Sequence, residues 1–255
     1  MVQVDVREAS PQLGPVEVQS AHVLVLPIAG VFAKHDASRS CILGTPNDAV
    51  FICADQPYHL SYPAGIGDRC LTVRFSTEAL SELLATSPFQ MARLTAPVLL
   101  SAPVIVVRNL LWHRFQTGQW DAIEVDELGG LLVEEALRLP REDERSQGRP
   151  LLRHRAAIEA VKEAVASDPP YRWSLSKLGR VANVSPFHLS RLFRSVVGTS
   201  VYDYVLRARL ATALDLMVDT KMELTAVSLD SGFSSQSHFS ARFRAFFGFT
   251  PTAFR

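Results

Sequence analysis

The stretch LGRVANVSPFHLSRLFRSVVG, residues 178–198, decides how the second half of this chain folds, because a closely related stretch follows it. The second copy is VSLDSGFSSQSHFSARFRAFFG, residues 227–248. Five residues of the first copy recur 50 positions later: His188, Ser190, Phe193, Arg194 and Gly198. Upstream of them the offset is 49, which predicts a one-residue slip in the turn. Two copies are too few for a solenoid, so the repeat is a duplicated supersecondary unit.

Each copy predicts a helix, a short turn and a second helix. In the first copy Ser174 is the predicted cap of a helix that ends at the turn 183–185. Ser185 then caps the second helix, Pro186 occupies its first position, and Gly198 ends it. The inward face of the first helix is predicted to hold Leu175, Leu178 and Ala182. The two units cover about residues 174–197 and 223–247, and both have the helix-turn-helix arrangement.

The second helix of each unit has one apolar and one polar face at helical spacing. The predicted inward residues are Leu189, Phe193 and Val196, then Phe239, Phe243 and Phe246. The predicted outward residues are Phe187, Ser190, Arg191 and Arg194, then Ser237, Ser240, Ala241 and Arg244. A polar helix face is usually only solvated, but its duplication favours a functional surface.

Such a face suits double-stranded DNA. A helix fits the major groove, where arginine bonds guanine and Phe187 offers apolar contact to a thymine methyl group. The first turn of each second helix directs backbone N–H groups at a phosphate. Arg242 lies beside the outward face and is a predicted phosphate contact, whereas His188 and His238 are predicted to be structural or to touch phosphate.

Residues 201–218 predict one long helix between the two units, about 27 Å in length. Its shared face holds Tyr202, Leu206, Leu210, Ala213, Leu214 and Met217. A strut of this length could hold two recognition helices about one DNA turn, roughly 34 Å, apart.

Charge separates the two halves of the chain. Residues 1–150 carry 12 basic and 18 acidic side chains (12 − 18 = −6), and residues 151–255 carry 14 and 8 (14 − 8 = +6). A basic second half points to a polyanionic partner. Residues 140–150 hold no apolar side chain between their two prolines, so 141–151 is the predicted linker between domains 1–140 and 152–255.

The composition also excludes classes of protein. Cys41, Cys53 and Cys70 form no paired motif, so we expect neither disulfides nor a zinc ribbon, and we expect all three thiols to be buried. The apolar run 21–33 is too short to cross a membrane, and the amino terminus lacks the pattern of a signal peptide. We therefore expect a cytoplasmic protein with no membrane partner.

The first 76 residues predict short strands separated by turns, typical of a small sandwich or barrel. A short helix should follow over 77–85, with Thr77 as its cap. Helices over about 104–116 and 124–139 carry apolar stripes that must be buried. Packing on the barrel and pairing with a second copy through residues 104–139, as a homodimer, both remain open.

Residues 185–193 and 232–251 resemble the two helix-turn-helix units of the AraC/XylS family of bacterial transcription regulators. The resemblance covers about residues 152–255 and implies seven helices, with recognition helices over about 186–197 and 236–247. Carried over by position, the base-facing residues are Phe187, Ser190 and Arg191, then Gln236, Ser237 and Ser240. Many relatives have arginine where this chain has Ala241, so the second unit is expected to read fewer bases.

The first half resembles the cupin-like sensor barrel of that family, which implies a small-molecule effector and a helical dimerisation segment. Cupin enzymes use a His-x-His motif for metal, which this chain lacks. His22, His35 and His59 are scattered, so we expect no metal site and no cofactor. The effector and the residues that bind it remain unknown.

The sequence thus predicts an α+β protein of two domains, a small cupin-like β-barrel with a helical dimerisation segment and an all-α domain with two helix-turn-helix units. Its predicted function is sequence-specific DNA binding in transcription, as an effector-responsive activator that contacts RNA polymerase, on the family resemblance, and not as an enzyme. The predicted DNA-binding residues are Phe187, Ser190, Arg191, Arg194, Gln236, Ser237, Ser240, Arg242 and Arg244. Two alternatives stay open: a metal-dependent cupin enzyme with an appended DNA-binding module, and an architectural DNA binder without an effector.

Overall fold

Alternating apolar side chains build the first half of the molecule as two antiparallel sheets. The computed structural model describes residues 2–7, 12–36, 41–85, 96–138, 152–219 and 221–255. The strands are β1 (Val2–Arg7), β2 (His22–Ala29), β3 (Phe32–Asp36), β4 (Cys41–Gly44), β5 (Asp48–Ile52), β6 (Tyr58–Ser61), β7 (Asp68–Phe75) and β8 (Val98–Leu99). One sheet has the order β1-β7-β2-β5-β8 and the other β4-β3-β6. Among the described residues, no ladder of hydrogen bonds joins the two sheets.

Strand β2 shows why both faces of the larger sheet are apolar. Val23 and Val25 pack into the core between the sheets, with Phe32 of β3 and Leu60 of β6. The alternate residue Leu24 points to the opposite face, where the helices cover it. A strand that is covered on both sides has apolar residues at successive positions rather than at alternate ones. In agreement with this, every residue of β2 from His22 to Ile28 is buried.

Gly30 connects the two sheets where β2 turns into β3. Its φ of +81° lies in the left-handed region, and a Cβ there would lie 2.1 Å from the carbonyl oxygen of Gly67. Only glycine meets both conditions, so the chain can pass closely between the sheets at this point.

The described part of the first domain also contains three helices. They are α1 (Thr77–Ala85), α2 (Ala102–Thr117) and α3 (Ala122–Arg138). Helix α1 has the predicted limits, but the predicted cap was wrong: Ser76 Oγ accepts the Ala79 N–H at 3.2 Å, and Thr77 is already helical. Buried side chains of α2 and α3, such as Leu111 and Leu132, pack on the outer face of the larger sheet. Part of each predicted stripe is therefore buried within one chain.

The second domain consists of helices. They are α4 (Leu152–Ser167), α5 (Leu175–Val181), α6 (Pro186–Val197), α7 (Val201–Asp219), α8 (Leu224–Asp230), α9 (Gln236–Phe247) and α10 (Pro251–Phe254). The seven helices that the family resemblance implied are confirmed, together with the division into a sheet-rich and an all-helical domain. The predicted linker 141–151 lies outside the described residues. In the described ranges, no helix is long and apolar enough to span a bilayer.

The expectation that all three cysteines are buried was wrong for Cys41. Cys53 and Cys70 are buried, whereas Cys41 is exposed. Cys41 begins β4, an edge strand of the smaller sheet, and its neighbours Ile42 and Leu43 supply the burial there. Position at a strand end, which composition does not reveal, decides the difference.

A buried ion pair joins the two domains. Lys162 Nζ of α4 lies 3.3 Å from Asp48 Oδ2 of β5, and both side chains are fully buried. Thr45 Oγ1 donates to the same carboxylate oxygen at 2.6 Å and lies 2.9 Å from the hydroxyl of Tyr204 in α7. Burial raises the pKa of Asp48, against the opposing effects of Lys162 and Thr45. The charges are thus held by a network that spans both domains.

Replacing one member of this ion pair should destabilise the protein. We expect Lys162→Met to lower the free energy of unfolding by about 3–5 kcal/mol, because it leaves the buried carboxylate of Asp48 without its cation. The double variant with Asp48→Asn should lose less than the sum of the two single variants. Urea unfolding followed by two probes measures both effects, and additive losses would contradict the coupling.

Candidate nucleic-acid interface

The two helix-turn-helix units use the same backbone hydrogen bonds. In the first turn the Val184 N–H donates to Gly179 O at 2.9 Å, and in the second the Phe233 N–H donates to Ser228 O at 2.9 Å. These pairs are 49 positions apart. Asn183 (φ +52°) occupies the same left-handed turn position as a glycine in the second unit. The duplication therefore holds at the level of hydrogen bonds.

The caps of the second helices repeat at an offset of 50. Ser185 Oγ accepts the His188 N–H at 3.2 Å, and Ser235 Oγ accepts the His238 N–H at 3.2 Å. Since the turns match at 49 and the caps at 50, the predicted slip is one residue, Ser234, inserted before the second cap. Helices α6 and α9 begin and end at the residues that the resemblance implied.

The inward faces of α6 and α9 form the cores of the units. Leu189, Phe193, Phe239 and Phe243 are fully buried, and Val196 is buried as well. Phe246 is only half-buried, because it lies at the edge of this core with the Arg207 guanidinium 4.8 Å from its ring centre. The predicted inward assignment is confirmed for all but this residue.

The inward assignment of Leu175 in α5 was wrong, and Tyr202, which was assigned to the shared face of α7, is exposed. Leu175 is exposed, since it is the first residue of α5 and borders a surface cleft. Tyr202 is exposed in the first turn of α7, where the Arg242 guanidinium lies 5.9 Å from its ring centre. Helical spacing assigned both residues to an apolar face, but they lie in first turns, where the neighbouring helices no longer cover that face.

The predicted residues of α6 lie together on an uncovered surface. Phe187 is 73% exposed, and the Arg191 guanidinium lies 5.8 Å from its ring centre. Ser190 and Arg194 are exposed on the same face. In the part of the chain that the structure describes, the first domain leaves all four side chains exposed, so this face is accessible.

The predicted residues of α9 are exposed as well, with one exception. Gln236, Ser237, Arg242 and Arg244 are exposed, and Ser240 is half-buried. Gln236 Oε1 accepts a hydrogen bond from Thr225 Oγ1 at 2.7 Å. This bond holds the side-chain amide at the start of α9 and leaves its Nε2 donors for an external acceptor. Sequence reasoning missed Thr225, because only the fold brings α8 beside the first turn of α9.

Two of the histidines in the first domain that were predicted to be scattered lie side by side. His35 of β3 and His59 of β6 are direct partners in the strand register. His35 Nε2 lies 2.8 Å from Ser61 Oγ, and His59 Nδ1 lies 2.8 Å from Gly14 O. Burial, followed by the neighbouring His59, lowers the pKa of His35. In the part of the chain that the structure describes, no three His, Cys, Asp or Glu side chains cluster as metal ligands would.

The comparisons with known proteins concern mostly the second domain. A family model described as a helix-turn-helix domain matches residues 178–255. The chain is 31% identical over 84 residues to the HTH-type transcriptional activator AarP of Providencia stuartii, which covers 33% of this chain and 62% of that protein. It is 38% identical over 99 residues to the HTH-type transcriptional regulator GlxA of Rhizobium meliloti, covering 39% and 31% respectively.

One solved structure is also similar to part of this chain. A transcriptional regulator from Chromobacterium violaceum, described as containing an AraC-type DNA-binding domain, is 28% identical, with a TM-score of 0.37, and the match covers 39% of this chain and 88% of that one. The second domain is similar to the helix-turn-helix domain of these transcription regulators. The chain spans between about a third and about three fifths of the length of these curated relatives. The family model matches residues of the second domain, and the first domain lies outside that match.

The buried and exposed phenylalanines of α6 and α9 should respond differently to truncation. Phe243→Ala should lower the free energy of unfolding by about 3–5 kcal/mol, because it removes a fully buried ring from a packed core. Phe187→Ala is the matched control and should leave stability within about 0.5 kcal/mol, because its ring is exposed. Thermal and urea unfolding of both variants test this, and equal losses would contradict the assignment of faces.

Proposed function

We propose that this chain is a sequence-specific DNA-binding transcription regulator whose helices α6 and α9 enter successive major grooves of one duplex. One observation carries the proposal: two units with the same turn bonds and caps both present an uncovered, arginine-bearing face. Helix α7, which joins them, has 19 residues and is about 28 Å long. This length is close to the roughly 34 Å of one DNA turn.

The roles of the residues divide between base and phosphate contact. Phe187, Ser190 and Arg191 lie on the outer face of α6, and Gln236 and Ser237 lie in the first turn of α9, so we assign them to base edges. Arg194, Arg242 and Arg244 are placed farther along the helices and suit phosphates, while Ser240 is half-buried and reaches DNA only at its hydroxyl.

A salt and specificity experiment separates the two kinds of arginine. The preferred duplex is first selected from a random library with the full chain. Arg191→Ala should cost about 1–3 kcal/mol of binding free energy and relax the preference at one base pair. Arg242→Ala should weaken binding to all sequences and reduce the slope of log affinity against log salt by about 1.

The control for both variants is Arg138→Ala, which removes an exposed arginine of the first domain. It should leave affinity and salt slope unchanged. Failure to select any preferred sequence would contradict the proposal itself, whereas a uniform loss in Arg191→Ala would reassign only that residue to phosphate.

The space between the two sheets of the first domain is small. That space has a volume of about 30 Å³ among the described residues, with Tyr58, Asp68 and Cys70 in its lining. It holds a water molecule or two and is about tenfold smaller than ordinary ligand pockets. Response to an effector, contact with RNA polymerase and activation in the cytoplasm remain part of the proposal by family resemblance.

Pairing of two copies through α3 is the second part of the proposal. Ile123 and Leu131, eight residues apart on one helix face, are 72% and 59% exposed. Apolar side chains this exposed favour burial against a second chain. We expect Ile123→Glu with Leu131→Glu to convert a dimer into a monomer in sedimentation experiments, and a monomeric parent protein would contradict the assignment.

A further inference from the structure

A cleft of the DNA-binding domain lies between its two helix-turn-helix units. It has a volume of about 360 Å³, within the range of small-molecule sites. Helix α7 forms its floor, with Val201, Val205 and Leu206. Ser190 of α6 borders it on one side and His238 of α9 on the other. The cleft therefore touches both recognition helices.

The cleft walls are mostly apolar, with hydroxyl groups of Ser174, Ser200 and Tyr202 among the lining residues. The remaining walls include Trp173, Leu175, Leu178 and Phe233, and no aspartate or glutamate lines the cleft among the described residues. Arg209 of α7 supplies the positive charge. A cleft of this kind suits a molecule with an apolar body and an anionic end.

Arg209 is held in place with donors to spare. Its Nε donates to Pro169 O at 3.1 Å, and one terminal nitrogen, Nη2, donates to Tyr171 O at 2.9 Å. Both acceptors are neutral carbonyl oxygens, so the structure gives this guanidinium no carboxylate partner in the described ranges. Burial lowers the pKa of Arg209, and an anion beside it would oppose that effect. The Nη1 group remains to bind such an anion.

We propose that this cleft binds a small amphipathic organic anion, a carboxylate with an aryl or alkyl body, through Arg209 and the apolar floor of α7. A DNA phosphate would use the charge but leave the apolar walls in contact with water, so it fits the cleft less well. Because the cleft is bordered by Ser190, a bound ligand occupies space that a base contact needs. The ligand and DNA therefore oppose each other's binding, by the same factor in both directions.

The opposition to DNA rests on the proposed function, whereas binding of the anion alone does not. The probe is 4-phenylbutyrate, with the neutral 4-phenylbutanol as its matched control. Calorimetric titration of the full chain should show saturable binding of the carboxylate and at least about tenfold weaker binding of the alcohol, because charge-assisted hydrogen bonds are lost. No saturable binding, or equal affinities, would overturn the proposal.

Three variants locate the site. Arg209→Met should weaken binding of 4-phenylbutyrate about tenfold or more. Leu175→Trp should also weaken binding of 4-phenylbutyrate, because the larger side chain fills the mouth of the cleft and leaves the hydrogen bonds of Arg209 intact. This variant provides the test if Arg209→Met does not fold. Arg180→Met removes an exposed arginine outside the cleft and should bind like the parent. Unchanged binding in both cleft variants would refute the site.

A final titration includes the selected DNA duplex. Saturating duplex should weaken binding of 4-phenylbutyrate, and undiminished binding would overturn the opposition between the two ligands. If Arg209→Met weakens DNA binding while the parent binds no probe, the cleft belongs to the phosphate backbone and the proposal fails. Failure to select any duplex would instead contradict the proposed function and leave the titration of the anion to stand on its own.

Discussion

Helix α7 is buried from three directions, and the arrangement of the molecule depends on it. Tyr204 packs its ring on Phe193 of the first unit, with ring centres 5.2 Å apart, and its hydroxyl bonds Thr45 of the first domain. Farther along, Leu210 and Leu214 join the core that includes Phe243 of the second unit and side chains of α2. One helix thus fixes both recognition helices relative to each other and to the first domain.

Polar groups at the domain boundary make this contact specific. Arg108 of α2 is fully buried and donates to Pro27 O and Pro46 O of its own domain at 2.5 and 2.7 Å, while burial lowers its pKa to about 10 against the opposing effect of Asp215 in α7. Arg69 of β7 pairs with Asp215 of α7 at 2.6 Å. A shifted docking of the domains would separate Arg69 from Asp215 and Lys162 from Asp48, and the second of these pairs is fully buried. Apolar packing supplies the attraction, and these charges select one arrangement.

The second domain was predictable from sequence because its signals are local. Caps such as Ser185, stops such as Gly198 and the helical spacing of Leu189 and Phe193 act within a few residues, so the limits of α6 and α9 were given correctly. The pairing of Asp48 with Lys162 was not predictable, because the two residues are far apart in the chain and carry no pattern. The same holds for the register that brings His35 beside His59 in the first domain.

The cleft between the two units could not be predicted from the sequence, for a related reason. Its walls come from five separate stretches, and Arg209 is one arginine among many until the fold places it beside Val205 and Phe233. Both the proposed DNA-binding surface and the cleft form only where separate helices come together in the fold. Patterns within one element predict that element, and they say little about the space between two.

The two recognition helices differ in sequence, although the backbone hydrogen bonds of their turns and their caps repeat. Arg191 of α6 corresponds to Ala241 of α9, and the second turn holds the extra residue Ser234. Under the proposed function, two different recognition helices would contact a DNA site that has a direction, so the two half-sites bound by one chain would differ. The orientation of that site along the genome then fixes the side on which the first domain stands. If the DNA site were reversed, the whole protein would bind in the opposite orientation. A protein bound beside it would then contact its other side.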